Sequence, residues 1–60
     1  LNPRRDILVE FVRQGAFVKV TAIDPVTGLE ASIVGPAGAS QTILAEQARR
    51  KLDYVAKKKP

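Results

Sequence analysis

The sequence predicts an α+β fold: a three-stranded antiparallel meander followed by one α-helix packed on one face of the sheet. Three observations carry this reading. Apolar and polar residues alternate in three short runs, near residues 6–13, 16–24 and 29–34. Turn-forming residues separate the runs, Gln14-Gly15 first and Asp24-Pro25-Val26-Thr27-Gly28 second. From about residue 40 to residue 57 the apolar spacing changes from that of a strand to that of a helix.

With Gln14-Gly15 as a two-residue loop, the first hairpin opposes Phe11 to Val18, Val9 to Val20 and Ile7 to Ala22. Directly opposed residues of an antiparallel pair share a face, so these six form one apolar surface. The other face receives Val12 with Phe17, and Glu10 with Lys19 as an opposite-charge pair. A shift of one residue would mix the faces, which burial forbids. A type I′ loop wants φ > 0 at both central residues and Gln suits that poorly, so the alternative is a longer loop with a bulge.

In the second hairpin Asp24 can bond the backbone two residues on, Pro25 presets φ, and Gly28 supplies a left-handed residue. Four loop residues then oppose Ala22 to Ala31 and Val20 to Ile33. Leu29, Ala31 and Ile33 join the face that carries Ile7, Val9, Phe11, Val18 and Val20. Agreement of three strands on one face is the strongest argument for the fold.

Gly35-Pro36-Ala37-Gly38 is expected to stop the third strand. Ser40 is a suitable N-cap. Leu44, Ala48, Leu52 and Val55 then form the apolar stripe of a helix, with Ala45 and Ala56 at its edge. Glu46 with Arg50, and Asp53 with Lys57, are i,i+4 pairs in the favourable order. Lys51 borders the stripe, where its stem would snorkel. Ile43 and Tyr54 lie outside it and are expected to extend the core over the sheet edge, or else to form a second contact patch. The basic tail, residues 57–60, suits a helix C-terminus.

Sixty residues make one small domain, and a chain of this size removes only about 60% of its unfolded surface from water. There is no Cys and no His, which excludes disulfides and a zinc site as added stabilisers and leaves self-association. No apolar stretch approaches the ~20 residues of a membrane span. Leu1–Asp6 has no signal-peptide character, and the expected location is the cytoplasm. The net charge of +4 is uneven. Residues 1–40 balance, whereas Arg49, Arg50, Lys51, Lys57, Lys58 and Lys59 face only Glu46 and Asp53.

One helix covers one face of a sheet. The reverse face keeps Leu8, Val12, Phe17, Ile23 and Val34 between Glu10, Lys19, Thr21 and Ser32. Contiguous apolar surface of this kind marks an interaction site, against the plainer reading of scattered residues shielded by the termini. The expected role is a non-catalytic interaction module, a homodimer or an accessory to another protein, with no cofactor and no metal.

Catalysis is not expected. Without His or Cys the commonest base and the thiol nucleophile are missing, and the acids are dispersed over different elements. Gly35–Ser40 precedes a helix as a phosphate-binding loop would, but it lacks the glycine–lysine pattern and ordinary turn chemistry accounts for it. The alternative function is weak, non-specific RNA or DNA binding through Arg49, Arg50, Lys57, Lys58 and Lys59.

In element order, three strands and a helix resemble the C-terminal part of a double-stranded RNA-binding domain. That family grips phosphates with lysines at the start of its last helix, where this chain has Ala39-Ser40-Gln41-Thr42-Ile43. Along nearly its whole length, especially at Val12–Val20 and Asp24–Glu30, the sequence resembles a family of small uncharacterised bacterial proteins. That resemblance implies a bacterial cytoplasmic protein and brings no activity or site residues with it.

Overall fold

The structure, a computed structural model, describes residues 6–58. In chain order the elements are β1 (Leu8–Gln14), β2 (Phe17–Ile23), β3 (Glu30–Pro36) and α1 (Gln41–Lys58). The strands form one antiparallel sheet in the order β1-β2-β3. This is the β-β-β-α arrangement the sequence predicts, with every element end moved by one or two residues.

The first hairpin turns one residue later than expected. Its loop is Gly15-Ala16, not Gln14-Gly15, and Gln14 pairs with Phe17, Phe11 with Val20 and Val9 with Ala22. Backbone sterics explain the choice. Gly15 has φ 60° and no non-glycine residue has positive φ, which is the signature of a type II′ turn, left-handed only at its first corner. Pairing runs unbroken from Leu8–Ile23 to Gln14–Phe17, so no bulge is needed. The slip is two residues, an even number, so every side chain keeps its face. Glu10 now lies opposite Thr21 and Lys19 opposite Val12, so the expected Glu10–Lys19 pair is diagonal rather than direct.

The second hairpin has the expected register, Ala22 opposite Ala31 and Val20 opposite Ile33. Asp24 organises it. Its buried carboxylate accepts from the Val26 amide at 2.9 Å and the Thr27 amide at 3.4 Å. Its carbonyl accepts from the Gly28 amide at 2.8 Å, with Gly28 at φ 81°.

β3 does not stop at Val34 but runs on through Gly35 and Pro36, which pair with Val18 and Phe17. Pro36 fits there because β3 is an edge strand and needs no donor on its outer side. Gly35 is buried on the side facing the helix. A Cβ at that position would lie 2.6 Å from Leu44 Cδ2, so its missing side chain is what lets α1 approach. The helix starts after Ser40, whose hydroxyl accepts from the Ile43 amide at 3.4 Å and whose carbonyl accepts from Leu44 at 3.0 Å.

The core is formed by Val18, Val20 and Ala22 of β2, Ala31 of β3, and Leu44, Ala48 and Leu52 of α1. Ile7, Val9, Phe11, Leu29, Ile33, Ala39 and Val55 pack around it, partly buried. Val20 is fully buried, and burying a side chain of this kind contributes roughly 1.5–3 kcal/mol. α1 lies over β2 and β3. Val9 and Phe11, on the same side of β1, are therefore only half-buried.

Candidate interaction surface

Strand alternation sends every second residue away from α1. On that open face the register aligns four rows across β1, β2 and β3: Leu8-Ile23-Glu30, Glu10-Thr21-Ser32, Val12-Lys19-Val34 and Gln14-Phe17-Pro36. Leu8, Val12, Phe17 and Val34 are exposed, at 55%, 41%, 58% and 67%. Ile23, the fifth residue expected on this patch, is half-buried beside Leu8.

The two rows nearest the first turn form the larger part of the patch. There Phe17 and Pro36 stand next to Val12 and Val34, with the Lys19 ammonium stem between the two valines. The polar row is tied within itself. Thr21 Oγ1 and Ser32 Oγ are 2.8 Å apart, and Thr21 is 8% exposed although it faces away from the helix. Its short side chain sits on the central strand and its hydroxyl is paired with Ser32, so within this row only the exposed Glu10 carboxylate would have to give up water on docking.

The helix carries a second surface. Ile43 and Tyr54 are exposed, at 58% and 61%, and do not extend the core. The reason is rotational: with 3.6 residues per turn, Ile43, Gln47, Arg50 and Tyr54 run down the side opposite Leu44, Ala48 and Leu52. Thr42, Ile43, Glu46, Gln47 and Arg50 line a shallow depression there. Arg50 Nε is 3.5 Å from Glu46 Oε2, both side chains being largely exposed.

The predicted basic residues are not brought together as one patch. Helix periodicity puts Arg50, Lys57 and Lys58 on the side of α1 that carries Tyr54, with Lys58 Nζ 5.5 Å from the centre of its ring. Arg49 is turned about 100° from Arg50 around the helix. Lys59 lies outside the described residues. Lys51, expected to snorkel, reaches the sheet edge and donates to the Ser32 carbonyl at 2.8 Å.

Gly35 was legible only in part. Its place two residues beyond Ile33 and four beyond Ala31 puts it on the core face, and that parity was the signal for a close helix approach. Among the described residues no three of Asp, Glu, His and Cys converge on one point. No helix among them is long and apolar enough to cross a membrane.

Residues 4–59 match the family model described as "Domain of unknown function (DUF6898)", and the chain belongs to that family. No curated protein and no solved structure gives a significant match. The whole-length likeness to an uncharacterised family is therefore established, and no activity comes with it.

Proposed function

We propose that this chain is a non-catalytic interaction module of the bacterial cytoplasm that docks through the open face of its sheet, self-associating or serving a protein partner. One observation carries the reading: Leu8, Val12, Phe17 and Val34 are all exposed on the face that α1 leaves uncovered. A cluster of large apolar side chains on one side of a chain this small is the usual mark of a contact surface. Lys19 in its midst gives the surface a charge for orientation, and its long stem can lie flat against the valines.

Sedimentation equilibrium between micromolar and millimolar protein tests the self-association. The expected result is a concentration-dependent dimer that Phe17→Ser weakens more than Lys19→Ala does. A clean monomer up to millimolar protein overturns it.

A second reading, weak and non-specific nucleic-acid binding, is supported by the common side that Arg50, Tyr54, Lys57 and Lys58 share on α1. Its signature is salt dependence, because phosphate contacts release counterions. Gel-shift titration against mixed RNA and DNA should then lose affinity steeply with salt, and Arg50→Gln should flatten the slope. No retention at low salt ends this reading.

A further inference from the structure

The two outer edges of the sheet are built differently. Gly15-Ala16 is a two-residue loop, so Gln14 and Phe17 close it as a hydrogen-bonded pair. Alternation then turns the backbone groups of Leu8, Glu10, Val12 and Gln14 toward β2, and those of Val9, Phe11 and Arg13 outward. On the opposite side the ladder continues through the Asp24 amide, which donates to the Leu29 carbonyl at 2.9 Å. By the same alternation Ser32, Val34 and Pro36 face outward from β3.

The β3 edge is blunted. The Ser32 carbonyl accepts from Lys51 Nζ at 2.8 Å, and Pro36 has no N–H to offer. The β1 edge has none of these devices. It contains neither Pro nor Gly, its pairing has no bulge, and among the described residues it has no strand on its outer side. Its helix-side residues Val9 and Phe11 are also half-buried, because α1 lies over the other two strands. Edge and side chains thus await the same kind of neighbour, another strand.

We propose that this neighbour is β1 of a second copy, joined antiparallel so that two three-stranded sheets become one continuous sheet. The strand is self-complementary when the two-fold axis passes through Phe11, the middle residue of Leu8–Gln14. All residues of β1 then pair. Phe11 meets the second copy's Phe11 and Val9 meets its Arg13, and these are the residues whose backbone groups point outward. On the open face Glu10 meets Val12 and Leu8 meets Gln14. No like charges are directly opposed. Sliding the axis to Glu10 would set two carboxylates against each other, which is unfavourable. Sliding it toward the turn shortens the ladder. In this register Leu8 of each copy lies diagonal to Val12 of the other on the open face, but edge pairing does not rest on the open face being a docking surface.

The test uses the full chain made by chemical synthesis, with the Phe11 amide N-methylated to remove the central donor while the side chain stays. N-methylation of Val34, outward on β3, is the control. Sedimentation should show a dimer for the parent chain and for the Val34 derivative. For the Phe11 derivative the dissociation constant should rise on the order of 100-fold, since both central hydrogen bonds are lost and their carbonyls left unpaired. A parent chain that stays monomeric, or a Phe11 derivative that dimerises as tightly as the parent, overturns the proposal. If Phe17→Ser dissolves the dimer while N-methyl-Phe11 leaves it intact, the open face and not the edge holds the copies together. Should the Phe11 derivative fail to fold, cysteine pairing decides. Glu10→Cys mixed with Val12→Cys should give a mixed disulfide in excess of either self-pair, because directly opposed non-hydrogen-bonded positions lie ~4.5 Å apart at Cα. Random pairing of the two overturns the register.

Discussion

Gly35 of β3 and Leu44 of α1 are packed so closely that a Cβ on Gly35 would stand 2.6 Å from Leu44 Cδ2. Leu44 is 4% exposed, so its side chain cannot simply swing into water. Gly35→Val is expected to lose ~1–3 kcal/mol in urea unfolding through overpacking, and Gly35→Ala less. In a Leu44→Ala background, which opens space opposite, the cost of Gly35→Val should shrink. Equal costs in both backgrounds would mean that the two residues do not constrain each other.

The second turn depends on the buried Asp24, whose carboxylate holds the Val26 and Thr27 amides. Asp24→Ala leaves those amides without this acceptor and is expected to destabilise by ~1–3 kcal/mol. Asp24→Asn keeps an oxygen in place and should lose clearly less. Denaturant midpoints of the two variants check the difference.

Gly15 and Ala16 separate a strained corner from an ordinary one. Gly15 has φ 60° with nothing within 4 Å of its missing Cβ, so Gly15→Ala meets only a backbone penalty, about 1–2 kcal/mol. Ala16→Gly touches no such requirement and should cost less. The reverse ranking in thermal unfolding would return the turn to a different pair of residues.

Core truncations rank by burial. Leu52→Ala, at a position 4% exposed, is expected to cost ~2–5 kcal/mol. Phe11→Ala should cost less than its size implies, since the helix leaves Phe11 half-buried. An unchanged melting temperature for Leu52→Ala would remove α1 from the sheet.

Face membership was legible in the sequence because it depends only on the parity of positions: Val9, Phe11, Val18, Val20, Ala31 and Ile33 all face the helix as alternation requires. The register of the first hairpin was not. A slip of two residues leaves the burial pattern identical, and only the φ requirement of Gly15 against Gln14 separates the two pairings. Gly35 reads first as a strand stopper because glycine packs poorly within a strand, while its parity with Ala31 and Ile33 puts it on the helix face, where the missing Cβ admits Leu44. For Ile43 and Tyr54, outside the apolar stripe, the sequence left open an extension of the core over the sheet edge or a second contact patch. Both are exposed, so the core reading fails because the sheet does not reach around α1 to them. On the candidate surface, Leu8, Val12, Phe17 and Val34 followed from parity, while Ile23 shares that face and is half-buried, which parity alone does not show.

Residue-resolved NMR, with the protein concentrated from micromolar to millimolar, decides whether the open sheet face is the contact surface. The resonances of Leu8, Val12, Phe17, Lys19 and Val34 are expected to shift together along one binding curve, while those of Ile43, Gln47 and Tyr54 on the outer side of α1 stay fixed. Shifts confined to the helix, or none on the open face, would contradict it.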